Sequence, residues 1–463
     1  MAKPIRRYLI FLILALGLAL RLVNLSQSFW LDEATQGQLS ALSLSQIWFG
    51  RGGDFHPPLY YLFSHYWLLV SHSEVWLRFP SIIFSLVNIY ILYLFAKLLF
   101  KTSVWAPYLA AFLLAIAPFS IYYSQEFRSY SLLCLLGTLS MYFFYRRRYF
   151  TVAFVNTLAV YTHYAAVFFI VTQFVIWFIY FRDRHRQFFL SQLILVILYL
   201  PWLPQFLRQL HSGISIKNYF PGWYQVLSVA PLKAFPVVLF KIAAGRIDFL
   251  NRYLYGLYIV SVFAIVFSGL LFAPKFRYFL LSWLFLPVFL LIIISLALPQ
   301  TQPFRVIFIL PALVLLLTQA CLRFPRLFIT LLLYIALVGN ITYFTRPRLQ
   351  REQWRQAISY LQSRAAPTTL VAVKFTAKFS PFYWYDPSLP VAPLVSAYPA
   401  GSADLAAHLS ALPPSVRSLY VLDYLGDLTD PRHLTAPALT AAGFSEVSAQ
   451  DFSGVGIIRL YER

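Results

Sequence analysis

The 463-residue chain is 60% hydrophobic, 19% aromatic and only 11% charged, against roughly 25% charged in an ordinary soluble domain. That excludes a water-soluble enzyme. Repeated apolar runs of about 18 residues, enough to cross about 30 Å of hydrocarbon as helix, instead mark a polytopic helical membrane protein.

Taken in chain order, the predicted spans run over 8–25, 79–97, 104–121, 130–145, 149–163, 165–181, 188–204, 253–272, 279–297, 304–322 and 327–344. Basic clusters fall at alternate ends: Lys3/Arg6/Arg7, Lys97/Lys101, Arg146 to Arg148, Arg182/Arg184/Arg186, Lys275/Arg277 and Arg323/Arg326. By the positive-inside rule those ends are cytoplasmic, which puts the amino terminus inside and the carboxyl terminus outside. The first run lacks a cleavage site and reads as an uncleaved anchor. Residues 26–77 form a long first external segment, in which Gln38 to Trp48 and Leu59 to Val70 read as helices lying in the interface. Residues 205–252 read as an external loop with an interfacial helix around Ala234 to Ala244.

Charge divides the chain in two. Up to position 345 there are 26 basic and 7 acidic residues, net +19; beyond it there are 11 and 9, net +2. The expected organisation is a membrane domain over 1–345 and a small extracytoplasmic α/β domain over 346–463. In the tail, helical patterns at Glu352 to Arg364 and Ala403 to Leu412 alternate with strand-like runs at Thr369 to Lys374, Ser418 to Leu425 and Gly454 to Tyr461. The basic excess reflects topology and anionic lipid, not a nucleic-acid partner. Cys134 and Cys321 sit in apolar runs and read as packing residues.

Carboxylates near hydrocarbon are costly and are retained for a task. The membrane part holds Asp32, Glu33, Asp54, Glu74, Glu126, Asp183 and Asp248, six of them on the expected outer side. The adjacent Asp32–Glu33 pair just past the first span is the leading catalytic candidate. Arg128 and Arg305 lie where spans meet the same face, and arginine binds phosphate with paired donors. Asp54 precedes His56 by two residues, ahead of Pro57-Pro58 at the start of a helix. His163 and Tyr164 lie at a membrane border, where an aromatic belt is the competing reading. No Walker A, dinucleotide fingerprint, HExxH or CxxC motif occurs, so neither nucleotide-driven pumping nor a closed zinc site is supported.

Phe29-Trp30-Leu31-Asp32-Glu33-Ala34, Asp54-Phe55-His56-Pro57-Pro58-Leu59-Tyr60-Tyr61, Ser124-Gln125-Glu126-Phe127-Arg128-Ser129-Tyr130, Thr162-His163-Tyr164 and Gln353-Trp354-Arg355-Gln356-Ala357 occur in that order. The ordered set resembles the bacterial branch of glycosyltransferase family 39, GT-C fold enzymes related to protein O-mannosyltransferases and lipid A aminoarabinose transferases. The resemblance implies transfer of a sugar from a polyprenyl-phosphate donor to a hydroxyl-bearing acceptor, whether lipid, polysaccharide or protein, at the outer face of the bacterial inner membrane, with inversion. It implies catalytic roles for Asp32 and Glu33, and substrate-binding roles for Asp54, His56, Glu126, Arg128, His163, Tyr164 and Arg305. Arg305 stands in Phe304-Arg305-Val306, where many relatives read Arg-Tyr. Use of a divalent metal ion varies among such relatives, and this chain displays no definite ligand set. The alternative class is a transporter or flippase of lipid-linked sugars, which would show inverted repeats and broken helices in matched halves.

Overall fold

The computed structural model describes residues 3–50, 55–219, 222, 229–272, 276–298 and 300–463. Asp54 lies outside them. The chain divides into two compact units: residues 1–25, 43–210 and 227–349 form the first, and residues 26–42, 211–226 and 350–463 form the second.

The first unit is helical. Its opening elements are α1 (Lys3–Leu22), and, after the segment that belongs to the second unit, α3 (Leu44–Trp48), α4 (Leu59–Leu68), α5 (Glu74–Leu99), α6 (Ala106–Ala115) and α7 (Pro118–Ser124). The label α2 is given to Leu31–Ser40, which belongs to the second unit. Among the described residues, six helices are long and apolar enough to cross a membrane, α6 with α7 forms a bent pair, and four shorter apolar helices cover Tyr8–Leu22, Tyr130–Tyr145, Tyr149–Thr162 and Ala166–Phe181. Together they coincide with the eleven predicted spans. The protein is a multi-pass membrane protein. Two boundaries differ from the sequence reading. The helix predicted to stop at 204 runs on through Leu203–Tyr219. The piece around Ala234 to Ala244 is a 14-residue helix, Pro231–Ala244, with Ala234, Val238, Ile242 and Ala244 buried against the Arg252–Leu271 and Arg277–Ser295 helices and α7. At 1.5 Å per residue it is about 21 Å long, less than the hydrocarbon thickness.

The run predicted as one span over 104–121 is two helices bent by 57°. Pro118 explains the break, because it lacks an N–H and its ring collides with the preceding turn. A broken helix in an apolar environment must have its freed carbonyls satisfied. Arg21, fully buried, donates to the Ala115 carbonyl at 2.9 Å and to Ser120 Oγ at 3.0 Å, and Asn340 Nδ2 donates to the Ile116 carbonyl at 2.9 Å. Two glycines make room for the bend: a Cβ on Gly339 would lie 2.7 Å from Pro118 Cγ, and one on Gly245, at φ +78°, would lie 2.7 Å from Pro118 Cβ.

The second unit carries a five-stranded sheet of β1 (Thr369–Val373), β2 (Val391–Pro393), β3 (Ser418–Leu422), β4 (Ser445–Phe452) and β5 (Gly456–Glu462), in the order β2-β1-β3-β5-β4. The first three strands are parallel, and β5 and β4 continue antiparallel. Alternation along the strands builds a core on each face. Val371, Val373, Tyr420 and Leu422 meet Trp354, Ile358 and Leu361 on one side, while Ala372, Leu419 and Val421 meet Leu405, Leu409 and Phe444 on the other. The small α/β domain expected from the tail is therefore present, and the Ser26–Leu42 segment, with α2, packs as part of that unit.

Candidate functional site

In the first unit the Gln125–Ser129 segment is held in place by polar contacts that its sequence provides. Gln125 Nε2 donates to the carbonyls of Arg21 and Val23, at 2.9 and 2.6 Å, where α1 runs out of intrahelical partners. Its Oε1 accepts the Tyr343 hydroxyl at 2.7 Å. Ser81 Oγ, on α5, donates to the Glu126 carbonyl at 2.6 Å, and Arg78 donates to the Leu25 carbonyl at 2.7 Å. This framework buries both Glu126 and Arg128.

Arg128 Nη2 lies 3.5 Å from His56 Nε2, and the His56 ring stands edge-on to His163 with centroids 5.2 Å apart. His163 is buried, and its Nδ1 accepts the Ala165 backbone N–H at 3.1 Å, which leaves Nε2 as the nitrogen that carries the ring proton when His163 is neutral. The Tyr130 ring lies 5.9 Å from the Arg128 guanidinium carbon and 6.1 Å from His163. Phe304 packs on Tyr130 at 4.8 Å, and the Arg305 guanidinium carbon lies 5.8 Å from the Phe304 ring. Tyr164 joins through Gln209, whose Oε1 accepts the Tyr164 hydroxyl and whose Nε2 donates to the His56 carbonyl at 3.5 Å; Trp202 Nε1 donates to the same hydroxyl at 3.0 Å. His56, Arg128, His163, Tyr164 and Arg305 thus fall in one cluster. Such a group offers guanidinium and imidazole donors to a phosphate.

Asp32 and Glu33 sit in the second unit, within the first turn of α2, where carboxylates complement the helix dipole. The sequence reading starts a helix only at Gln38; the structure starts it at Leu31, so the pair is helical and not part of a loop. The two carboxylates differ in access. Asp32 is partly exposed and Glu33 is fully buried. Only the first is open to a substrate.

Sequence reasoning passed over the residue that holds this turn. The N-cap position of α2 is Trp30, which supplies no capping side chain. Glu352 takes that place: its Oε2 accepts the Leu31 backbone N–H at 2.9 Å and Trp354 Nε1–H at 2.7 Å, and its Oε1 accepts the Tyr424 hydroxyl at 3.1 Å. The preceding residues are secured to the same strip. Ser28 donates to the Glu352 carbonyl, Arg351 N–H to Gln27 Oε1 at 2.7 Å, Arg355 to the Ser26 carbonyl at 3.0 Å, and Phe29 N–H to the Tyr385 hydroxyl at 2.6 Å. Burial pushes the Glu352 carboxyl up to about 7; the nearby Asp32 charge adds to the rise and the three hydrogen bonds oppose it. Burial, together with the Glu352 and Asp32 charges, pushes the Tyr424 hydroxyl up as well. The available signal was position: Glu352 immediately precedes the Gln353-Trp354-Arg355 motif. Tyr130 and Gln209 were also missed, the latter because it lies in the 205–252 stretch read as a loop.

Among the described residues, no group of three or more His, Cys, Asp or Glu side chains is placed to hold a metal ion.

Residues 55–205 match the family model described as dolichyl-phosphate-mannose-protein mannosyltransferase. Among curated proteins no match was found. Two solved structures of ArnT from Cupriavidus metallidurans are similar across the whole chain at 12% identity: the apo form with a TM-score of 0.57, covering 97% of this chain and 97% of that one, and the form bound to undecaprenyl phosphate with a TM-score of 0.58, covering 100% and 98%. The matched region contains His56, Glu126, Arg128, His163 and Tyr164. The chain therefore has the GT-C fold of ArnT, and its residues 55–205 are similar to the protein mannosyltransferases.

Proposed function

We propose that the protein is a membrane glycosyltransferase that moves a sugar from a polyprenyl-phosphate donor to a hydroxyl of an acceptor at the outer face of the inner membrane, with inversion. The observation that carries the reading is the Arg128–His56–His163 cluster, built inside the region that matches the mannosyltransferase model. The likeness to a protein whose structure holds undecaprenyl phosphate supports the choice of donor.

The chemistry follows from the leaving group. The acceptor oxygen attacks the anomeric carbon, the bond from that carbon to the phosphate oxygen breaks, and polyprenyl phosphate departs. A phosphate monoester has a second ionisation near pH 6, so it leaves without a general acid. The incoming hydroxyl needs a base, and general-base help is worth about 10² to 10⁴ in rate. Asp32, the accessible carboxylate of the pair, takes that proton. Arg128 balances the charge that builds on the departing phosphate, and His56 stands beside its guanidinium. Glu33 supports the turn from inside. In this reading the amino terminus is cytoplasmic and the 346–463 domain extracytoplasmic.

The test is radiolabelled polyprenyl-phosphate sugar supplied to proteoliposomes. Release of polyprenyl phosphate with label in an acceptor supports the transferase. Labelled lipid that changes leaflet without cleavage supports a flippase and overturns the proposal.

A further inference from the structure

We propose that Glu352 is a positioning residue for glycosyl transfer: its carboxylate, supplied from the strip that leads into the C-terminal sheet, replaces the missing N-cap of α2 and fixes the first turn that aims Asp32. The proposal rests on the reading of Asp32 as the base.

The argument begins with the helix end. The first N–H groups of a helix have no partner within it, and a side-chain oxygen normally meets one of them. Trp30 has no such oxygen. The Leu31 N–H is met instead by a carboxylate 321 positions away in the chain. Its carboxyl oxygen accepts at the positive end of the helix, a bond that becomes charge-assisted once the carboxyl ionises, above about pH 7. The acceptor is itself pinned from two further directions, by Trp354 from its own strip and by Tyr424 from the turn after β3. Buried carboxyls are costly and seldom kept without partners. Each of the three hydrogen bonds to the Glu352 side chain comes from a donor, the Leu31 N–H, Trp354 Nε1–H and the Tyr424 hydroxyl, so the carboxyl is held from three sides. Asp32 follows Leu31 directly, so a shift in the Leu31 amide plane turns the Asp32 side chain with it. A displacement of about 1 Å at a reacting group can cost 10²-fold in rate.

A second contact restrains the same helix further along its length. A Cβ on Gly37 would meet the Trp384 ring at 2.5 Å, so α2 and the Ser380–Tyr385 helix are in direct backbone-to-ring contact. Thr35 Oγ1 donates to Ser380 Oγ at 2.9 Å across that contact. With this part of α2 fixed, the cap at Leu31 sets the remaining freedom of the first turn.

The experiment uses the full chain in detergent or nanodiscs and compares Glu352→Gln, Glu352→Asp and Glu352→Ala. The amide oxygen of Gln still reaches the Leu31 N–H, Asp draws the oxygens back by one carbon–carbon bond, and Ala removes the cap. The expected result is kcat within about three-fold of the parent for Gln and at least 10-fold lower for Asp and Ala, with the donor KM unchanged. Hydrogen exchange at the Leu31 and Asp32 amides should be at least 10-fold faster in Ala and near the parent rate in Gln. Should Ala fail to fold, the Gln and Asp pair alone decides. Parent-like kcat in Asp, or Gln no faster than Asp, overturns the proposal. Asp32→Asn run alongside separates the two ideas: a normal rate there refutes the base assignment, whereas an inactive Asp32→Asn with parent-like Glu352 variants refutes only the positioning role.

Discussion

Arg21, fully buried in the first helix, donates through its Nη1 to the backbone carbonyl of Ala115 at 2.9 Å, where the α6–α7 pair breaks. A charged side chain inside an apolar bundle is kept for such a task. Its Nε also reaches Ser85 and its Nη2 Ser120, so one guanidinium joins α1, α5 and both halves of the broken span. Removing it by Arg21→Met leaves the Ala115 carbonyl without this donor, at a cost of about 1–3 kcal/mol. The expected outcome is a lower midpoint in thermal unfolding of the detergent-solubilised protein.

Ser140, Asn156 and Gln173 form a closed buried ring: Ser140 Oγ to Asn156 Oδ1 at 2.5 Å, Asn156 Nδ2 to Gln173 Oε1 at 2.9 Å and Gln173 Nε2 to Ser140 Oγ at 2.6 Å. They tie together the Tyr130–Tyr145, Tyr149–Thr162 and Ala166–Ile176 helices. Hydrogen bonds between membrane helices average about 0.6 kcal/mol and reach about 1.7. Gln173→Leu should therefore cost about 1–2 kcal/mol, and its effect should be less than additive with Ser140→Ala in a double-mutant cycle on unfolding.

Gly37→Ala should slow transfer about 10-fold, because the new methyl displaces the Trp384 ring that α2 leans on. Overpacking of this kind costs about 1–3 kcal/mol. Trp384→Phe in the same chain relieves the clash and should return part of the rate. Equal kcat in the parent and Gly37→Ala would show that α2 tolerates the shift.

Glu352 also gives stability a pH dependence of defined sign. Its folded pKa, about 7, lies above the ordinary 4.5, so the folded state binds a proton that the unfolded chain has released. That stabilisation is present below pH 4.5 and is lost as pH rises to about 7, by a few kcal/mol. Asp386, Asp404 and Asp430, held below the ordinary carboxylate range by hydrogen bonds, act oppositely and only in more acidic solution. Glu352→Gln should flatten the unfolding midpoint between pH 5 and 7, read by thermal scans across buffers. An unchanged slope would contradict the folded ionisation.

Much of this fold is legible in the sequence because the membrane imposes a simple code: apolar runs of sufficient length become helices, and ten of the eleven runs coincide with an apolar helix while the run over 104–121 is a bent pair. Asp32 and Glu33 stood out through the scarcity of acids around them. Other features depend on tertiary partners. The α6–α7 break was signalled by Pro118, but an apolar run with one proline also reads as a continuous span. The sheet strand Ser445–Phe452 was missed because it is exposed along nearly its whole length and carries no apolar alternation. Glu352 reads locally as an ordinary acid at the start of a helix. What it caps is a different helix, 321 positions earlier, and nothing in local spacing carries that pairing.

The central claim is that Asp32 accepts the proton of the attacking hydroxyl, and single turnover of bound polyprenyl-phosphate sugar by purified Asp32→Asn tests it most directly. The expected result is donor binding equal to the parent with transfer slowed by 10² or more. Transfer at the parent rate, with the donor bound normally, would contradict it.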